Sequence, residues 1–286
     1  MQIVSDAGMD LSPEQAKDIH VHLVPLSFTL DGKSYRSGID IQPDEFYQLL
    51  ASTKSYPTTS QPAVGEIAEI YRRVAAEDPD ILSIHISSGL SGTFNAARLA
   101  VAEVPEANVT LIDTKTLSGA EGWQVEAAYR AMKAGRSKEE ILKIVQQVSD
   151  ATNTVYTLAT LDYLIHGGRI SHLKGLLANV LDIKPLIAVE KVGGTYVQED
   201  RARSLKKATL KITDVVGKLH APGTKLRVQI MHAANPEGAE LLKGRFNEVY
   251  DCEWLPIAPI APVLGAHTGP GLVGAAYAAV DAYPVI

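Results

Sequence analysis

Cysteine is almost absent from this chain: Cys252 is the only one in 286 residues. A single thiol excludes an internal disulfide and any cysteine-rich zinc site, and it fits a reducing cytoplasm. Aromatic residues are scarce at 6%, so Leu, Ile, Val and Ala must fill the core. No apolar run reaches the roughly 18 residues that a membrane span needs. The longest, near 255–264, is broken by Pro256, Pro259 and Pro262. A basic excess is missing too. The 27 basic residues face 33 acidic ones, a net charge of −6, which argues against a general binder of nucleic acid or anionic membranes. Gly32-Lys33-Ser34 lacks the upstream glycine of a phosphate-binding Walker loop. His20 and His22 alternate along a strand without a third ligand, which gives a metal site little support.

What is present is a long alternation of strand and helix signals. Met1-Gln2-Ile3-Val4-Ser5-Asp6 reads as an opening strand, with no basic segment and apolar stretch of a secretory leader. Asp10, Ser12 and Pro13 start a helix over Leu11–Asp18, and Val21–Leu30 reads as a hairpin arm that turns at Asp31-Gly32. Further helices are expected over Phe46–Ala51, Pro62–Ala76, Thr93–Val104, Ala120–Ala134 and Ile141–Val148. The last follows a capping box at Ser137 and Glu140. The apolar strands Ile81–Ile86 and Val109–Ile112 lie between them. Near-continuous apolar strands alternating with helices predict a parallel sheet covered on both faces.

The second half reads differently. Strand signals at Thr152–Ala159, Ile187–Glu190, Gly194–Gln198, Leu226–His232 and Tyr250–Pro256 mix with helices at Leu161–Ile165, Leu173–Asp182, Ser204–Leu219 and Pro236–Phe246. That pattern predicts an α+β domain with helices on one side of the sheet. The fold class is therefore α/β and two-lobed, with domains over 1–150 and 151–286. Gly271–Ala279, made of small residues, reads as a closing helix.

Three hydroxyl-rich turns stand beside these elements. Ser87-Ser88-Gly89-Leu90-Ser91-Gly92-Thr93 follows an apolar strand and precedes a helix, where ligands of open α/β sheets bind. A helix N-terminus offers free N–H groups and partial positive charge. Gly89 and Gly92 allow close backbone approach, while Ser91 and Thr93 add hydroxyls. Plain helix capping by Ser91 or Thr93 explains the same spacing. Thr58-Thr59-Ser60-Gln61-Pro62 also precedes a helix, and capping is again the alternative. His267-Thr268-Gly269-Pro270-Gly271 sets one histidine in a tight loop with no evident packing role, where an imidazole can donate to an oxyanion. Arg169 lies between Gly167-Gly168 and Ile170. Neutral donors of this kind suit an oxyanion that is held rather than cleaved.

In order and spacing, these motifs resemble the DegV family, the fatty-acid-binding proteins that include the carrier subunits of bacterial fatty acid kinase. The likeness covers nearly the whole chain. It is carried by Ser5-Asp6, Thr59-Ser60-Gln61-Pro62, the Ser87–Thr93 turn, Gly168-Arg169-Ile170, Lys184-Pro185 and His267-Thr268-Gly269-Pro270-Gly271. The resemblance implies a long-chain fatty acid buried between two lobes, with its carboxylate held by Thr59, Ser91 and His267. It places Ser60, Gly92, Thr93 and Thr268 beside that site, and Arg169 at the site or the partner surface. It also implies no cofactor, and a separate kinase that converts the presented acid to acyl phosphate and is contacted by Arg203. Ala7 and Ala63 stand where the family often has hydroxyl residues. The residues alone leave a second reading open: a serine hydrolase with Ser91 as nucleophile and His267 as base, Asp113 or Asp162 completing the chain order of an α/β-hydrolase triad. The glycine of Gly89-Leu90-Ser91-Gly92 sits where G-x-S-x-G does carry one, but a second glycine follows at once and Thr93 takes the final place.

Overall fold

The computed structural model describes residues 1–171, 173 and 183–285. The first half runs β1 (Gln2–Asp6), α1 (Pro13–Asp18), β2 (His22–Val24), β3 (Ser27–Leu30), β4 (Lys33–Arg36), α2 (Pro43–Ser52), β5 (Thr58–Ser60) and α3 (Val64–Ala75). It continues through β6 (Asp80–His85), α4 (Thr93–Val101), β7 (Asn108–Asp113), α5 (Ser118–Lys133) and α6 (Lys138–Ala151). β2, β1, β6 and β7 form a wholly parallel sheet in that order. Its side chains alternate between two helix layers, as the period of a strand requires. Val4 and Ile81 pack with α3 and α4. Ile3, Leu82 and Ile84 pack with α5 and α6. The expected hairpin turns at Asp31-Gly32, both with positive φ, as a two-residue hairpin turn demands. It joins β5 in a small antiparallel sheet of order β4-β3-β5.

The second half runs β8 (Asn153–Thr157), α7 (Asp162–His166), β9 (Lys184–Val189), β10 (Tyr196–Ala202), α8 (Leu205–Val216), β11 (Lys225–His232) and α9 (Pro236–Val249). It ends with β12 (Asp251–Trp254), β13 (Ala258–Pro259), α10 (Pro262–Thr268) and β14 (Val273–Ala279). Its mixed sheet has the order β10-β9-β8-β14-β11-β12, with β13 also paired to β11. Val155, Val228, Ile230 and Val273 face α8 and α9. Tyr156, Ile187, Met231 and Ala276 face Leu117, Ala120 and Trp123 at and within α5. The sheet is thus covered by its own helices on one face and by a helix of the first half on the other. The helix expected at Leu173–Asp182 lies, from residue 174 onward, outside the described residues.

One expected element has the wrong type. Gly271–Ala279 is not a closing helix: Val273–Ala279 is β14, hydrogen-bonded between β8 and β11. Alanine favours helices in isolation, but this strand is buried on both faces between two neighbours that take up its backbone hydrogen bonds. Gly274 lies opposite Tyr156, and a Cβ on it would come within 2.2 Å of the Tyr156 ring. Among the described residues, no helix is long and apolar enough to cross a membrane.

Replacing Gly274 with valine should therefore destabilise the fold by about 2 kcal/mol or more, the usual range for overpacking. Urea denaturation measures this. An unchanged midpoint would show that β14 and Tyr156 do not interlock as described.

Candidate functional site

Helix α10 is the element that assembles the site. Its first N–H groups find no partner on their own side chains, as at any helix start. They are met instead from the first half of the chain. The Asp10 carboxylate accepts from Ala261 N at 2.8 Å, and the Ser37 hydroxyl accepts from Val263 N at 3.2 Å. The Tyr47 hydroxyl donates to the Ile260 carbonyl at 3.2 Å. So anchored, α10 carries His267 to Thr59, 208 positions away, with Nε2 at 2.8 Å from the threonine hydroxyl. The histidine expected in a loop is therefore on the last turn of a helix. Thr59 is itself on β5, an edge strand rather than a free turn.

Thr59, Ser60, Gln61, Ser91, Gly92, Thr93, Arg169 and His267 line one cavity of about 100 Å3. Ser91 Oγ lies 2.8 Å from Thr93 Oγ1 and accepts from Thr93 N at 3.3 Å, a local turn ahead of α4, whose N-cap is Gly92 and carries no side-chain cap bond. Gly92 lies close under the Gln61 side chain, where an added Cβ would fall 1.8 Å from Oε1 and push that exposed amide aside. Arg169 Nη1 donates to the Gly167 carbonyl at 2.7 Å. Gly167 lies against His267, where a Cβ would meet Nδ1 at 2.2 Å. Burial, and then the Arg169 charge, push the His267 pKa down to about 4, so the ring is neutral at pH 7. Ser87 Oγ donates to Gly194 O at 2.8 Å, tying the serine-rich turn to the β9–β10 hairpin.

Thr268 is not in this cavity. Its hydroxyl donates to the Leu264 carbonyl at 3.2 Å, and it lines an adjoining apolar cavity of about 30 Å3. Tyr196 and Leu264 form a wall common to both cavities. Neither was singled out in the sequence, because an aromatic and a leucine in apolar segments carry no chemical signal. Arg203 is exposed, between β10 and the start of α8. His267 bonds Thr59 rather than Ser91, and its Nδ1 has no partner among the described residues. Asp113 pairs with Lys115 at 2.8 Å and Asp162 accepts from Thr160 at 2.7 Å, so neither orients the histidine as a triad acid does.

Behind the cavity wall at Ile86 runs a chain of buried polar groups, of which only Asp6 stood out in the sequence. The Asp6 carboxylate accepts from Ile86 N at 3.0 Å and lies 3.0 Å from His85 Nδ1. His85 Nε2 is 2.8 Å from Ser83 Oγ, which is 2.9 Å from Tyr71 Oη. A serine and a histidine two apart in an otherwise apolar strand were the available signal. All of these side chains are sealed in the core, and no substrate reaches them. Among the described residues, no group of three His, Cys, Asp or Glu side chains could hold a metal ion.

Residues 1–280 match the family described as uncharacterised protein, DegV family. A DegV domain-containing protein of Staphylococcus aureus is 36% identical over 277 residues, covering 95% of this chain and 96% of that protein. One from Deinococcus radiodurans is 35% identical over 282 residues, covering 99% and 96%. Among solved structures, a fatty-acid-binding DegV family protein from Thermus thermophilus superposes with a TM-score of 0.87 at 30% identity, covering 98% of this chain and 99% of that one. Bacillus subtilis DegV, a fatty acid binding protein, gives 0.86 at 26% identity, covering 97% and 98%.

The depressed His267 pKa has a definite sign in stability. Between about pH 4 and the ordinary histidine value of 6.5, the unfolded chain binds a proton that the folded chain does not. This group's contribution is therefore present above 6.5 and lost as pH falls to 4. Asp10, raised to about 7 mainly by burial, works in the opposite sense, so wild type must be compared with His267→Gln at each pH. The gap between them should narrow on acidification, and NMR should find the His267 ring still neutral at pH 5. A titration midpoint at or above 6.5 would refute the assignment.

Proposed function

The chain belongs to the DegV family, and from that membership and the paired cavities we propose that it binds a long-chain fatty acid and presents it to a separate kinase. One observation carries the reading: a cavity lined by hydroxyls, an arginine and a neutral histidine shares a wall with an apolar one. In this reading Thr59, Ser91 and His267 hold the carboxylate. Ser60, Gly92, Thr93 and Arg169 complete the head-group cavity, and Thr268 stands beside the tail. The solved relatives support the ligand class: those from Thermus thermophilus and Bacillus subtilis are described as fatty acid binding, and one from Eubacterium ventriosum, 27% identical, as binding stearic acid. The two lobes, 1–150 and 151–286, close over the acid, and the protein works in the cytoplasm.

The energetics suit a carrier. Each buried methylene is worth about 0.8 kcal/mol, so a chain of roughly sixteen carbons supplies over 10 kcal/mol gross, before ordering costs. Hydrogen bonds to the charged carboxylate add about 1.5–3 kcal/mol each. The tail thus gives most of the affinity, and the hydroxyls fix its direction. The cavities, about 100 and 30 Å3, are narrower than the several hundred Å3 of a usual ligand pocket. The lobes therefore part to admit the chain. Catalysis belongs to the partner kinase, which docks at the exposed Arg203 beside α8.

Native mass spectrometry of freshly purified protein should find an added mass matching a fatty acid. Thr59→Val and Ser91→Ala should each weaken acyl binding by about 10- to 100-fold, the worth of one charge-assisted hydrogen bond. Arg203→Ala should leave acyl affinity unchanged while reducing acyl phosphate formation with a kinase. An empty protein that takes up no added fatty acid would sink the carrier reading, and labelling of Ser91 by a phosphonate would favour the hydrolase.

A further inference from the structure

Tyr156 presents a polar atom where an acyl tail needs none. Its ring, on β8, is held over Gly274 of β14, so the position of its hydroxyl is fixed. The side chain is 5% exposed, and the hydroxyl has no hydrogen-bond partner among the described residues. It lines the apolar cavity beside Ser118, whose hydroxyl donates to the Asp10 carboxylate and makes no bond of normal geometry to Tyr156. Burial pushes the Tyr156 pKa upward, so the group is a neutral donor. A buried donor left unpaired is destabilising, and the rest of the lining is mainly apolar, with Leu158, Leu164 and Leu272, while the Thr268 hydroxyl is turned to the Leu264 carbonyl.

Resting on the carrier reading above, we infer that the tail cavity contains a polar subsite in which the Tyr156 hydroxyl donates to an oxygen on the acyl chain. The ligand class is then an oxygenated long-chain acid, carrying a hydroxyl or oxo group along its length. Neither Tyr156 nor Ser118 lines the head-group cavity, so the subsite reads the chain and not the carboxylate.

The test is a binding series with stearate and with hydroxystearates substituted at mid-chain and at the terminal carbon, on wild type and Tyr156→Phe. One hydroxystearate should bind wild type at least about fivefold more tightly than stearate, the size of one neutral hydrogen bond. Tyr156→Phe should erase that preference, bind stearate no less tightly, and unfold at an unchanged or higher temperature when unliganded. Equal or weaker binding of every hydroxystearate by wild type would overturn the subsite, since a water then satisfies the hydroxyl. Lower thermal stability of Tyr156→Phe would overturn it as well, by showing a partner within the protein. Uptake of none of the acids by either protein would instead defeat the carrier reading, and the subsite with it.

Discussion

Gln229 lies in β11 with no exposure to solvent, and the bonds of its amide decide how the two halves meet. Its carbonyl accepts from Trp123 Nε1 of α5 at 2.6 Å. Its NH2 donates to Gln15 Oε1 of α1 at 2.8 Å, and Gln15 in turn donates to Glu126 of α5 at 2.8 Å. Each buried polar atom in this knot has a partner, which is the condition for keeping polar groups in a core. Helix α5 is consequently buried over nearly its whole length. It serves as the shared layer between the parallel sheet and the mixed one. Without that layer the mixed sheet would expose Tyr156, Ile187 and Met231, and α10 would have no fixed frame from which to reach Thr59.

The acidic groups around α5 make the same junction sensitive to charge. Glu121 is fully buried, and neither carboxylate oxygen has a partner among the described residues. Burial, followed by the negative charges of Asp6 and Asp10, pushes its pKa well above the carboxylate range. It therefore stays protonated, because an isolated charge there would be very costly. Asp6 keeps N–H donors from Gly8 and Ile86 and the ring of His85. A protonated Glu121 beside an Asp6 whose oxygens are met by these donors lets two carboxyl groups share a core without mutual repulsion.

The parallel sheet was legible because its strands and helices obey local rules. Apolar runs such as Ile81–Ile86 and the capping box at Ser137 carry their own instructions. β14 was not legible, because its identity is set by what surrounds it. Ala275, Ala276 and Ala278 prefer a helix in isolation and become strand only between β8 and β11. The candidate site was partly legible for a similar reason. Hydroxyls, glycines and a histidine at turn positions stand out in a sequence, and the family resemblance picked Thr59, Ser91 and His267 from among them before they were seen in one cavity. Tyr196, Leu264 and Tyr156 could not, since an apolar lining has no signature apart from the space it encloses. Thr268 shows the remaining gap: adjacency to His267 did not reveal that its hydroxyl turns back to its own helix.

In the proposed head-group cavity a neutral histidine acts on the carboxylate through Thr59, and its two nitrogens show how. Nδ1 is buried without a partner among the described residues, while Nε2 meets Thr59. A buried N–H left unpaired is rarer than an under-used acceptor, so the proton belongs on Nε2 and points at the threonine oxygen. Thr59 then keeps its own O–H free to donate into the cavity. In the Ser91–Thr93 pair, one hydroxyl donates to the other, which leaves one O–H free as well. The cavity so assigned offers two hydroxyl donors and a nearby guanidinium. An imidazolium in the same place would be buried from water and would add a second cation beside Arg169, the two causes, burial first, that hold the His267 pKa down. It would also hold the acid more tightly by its charge. The proposed handover of cargo to another protein is better served by a head group fixed in direction through neutral bonds, with most of the affinity left to the tail.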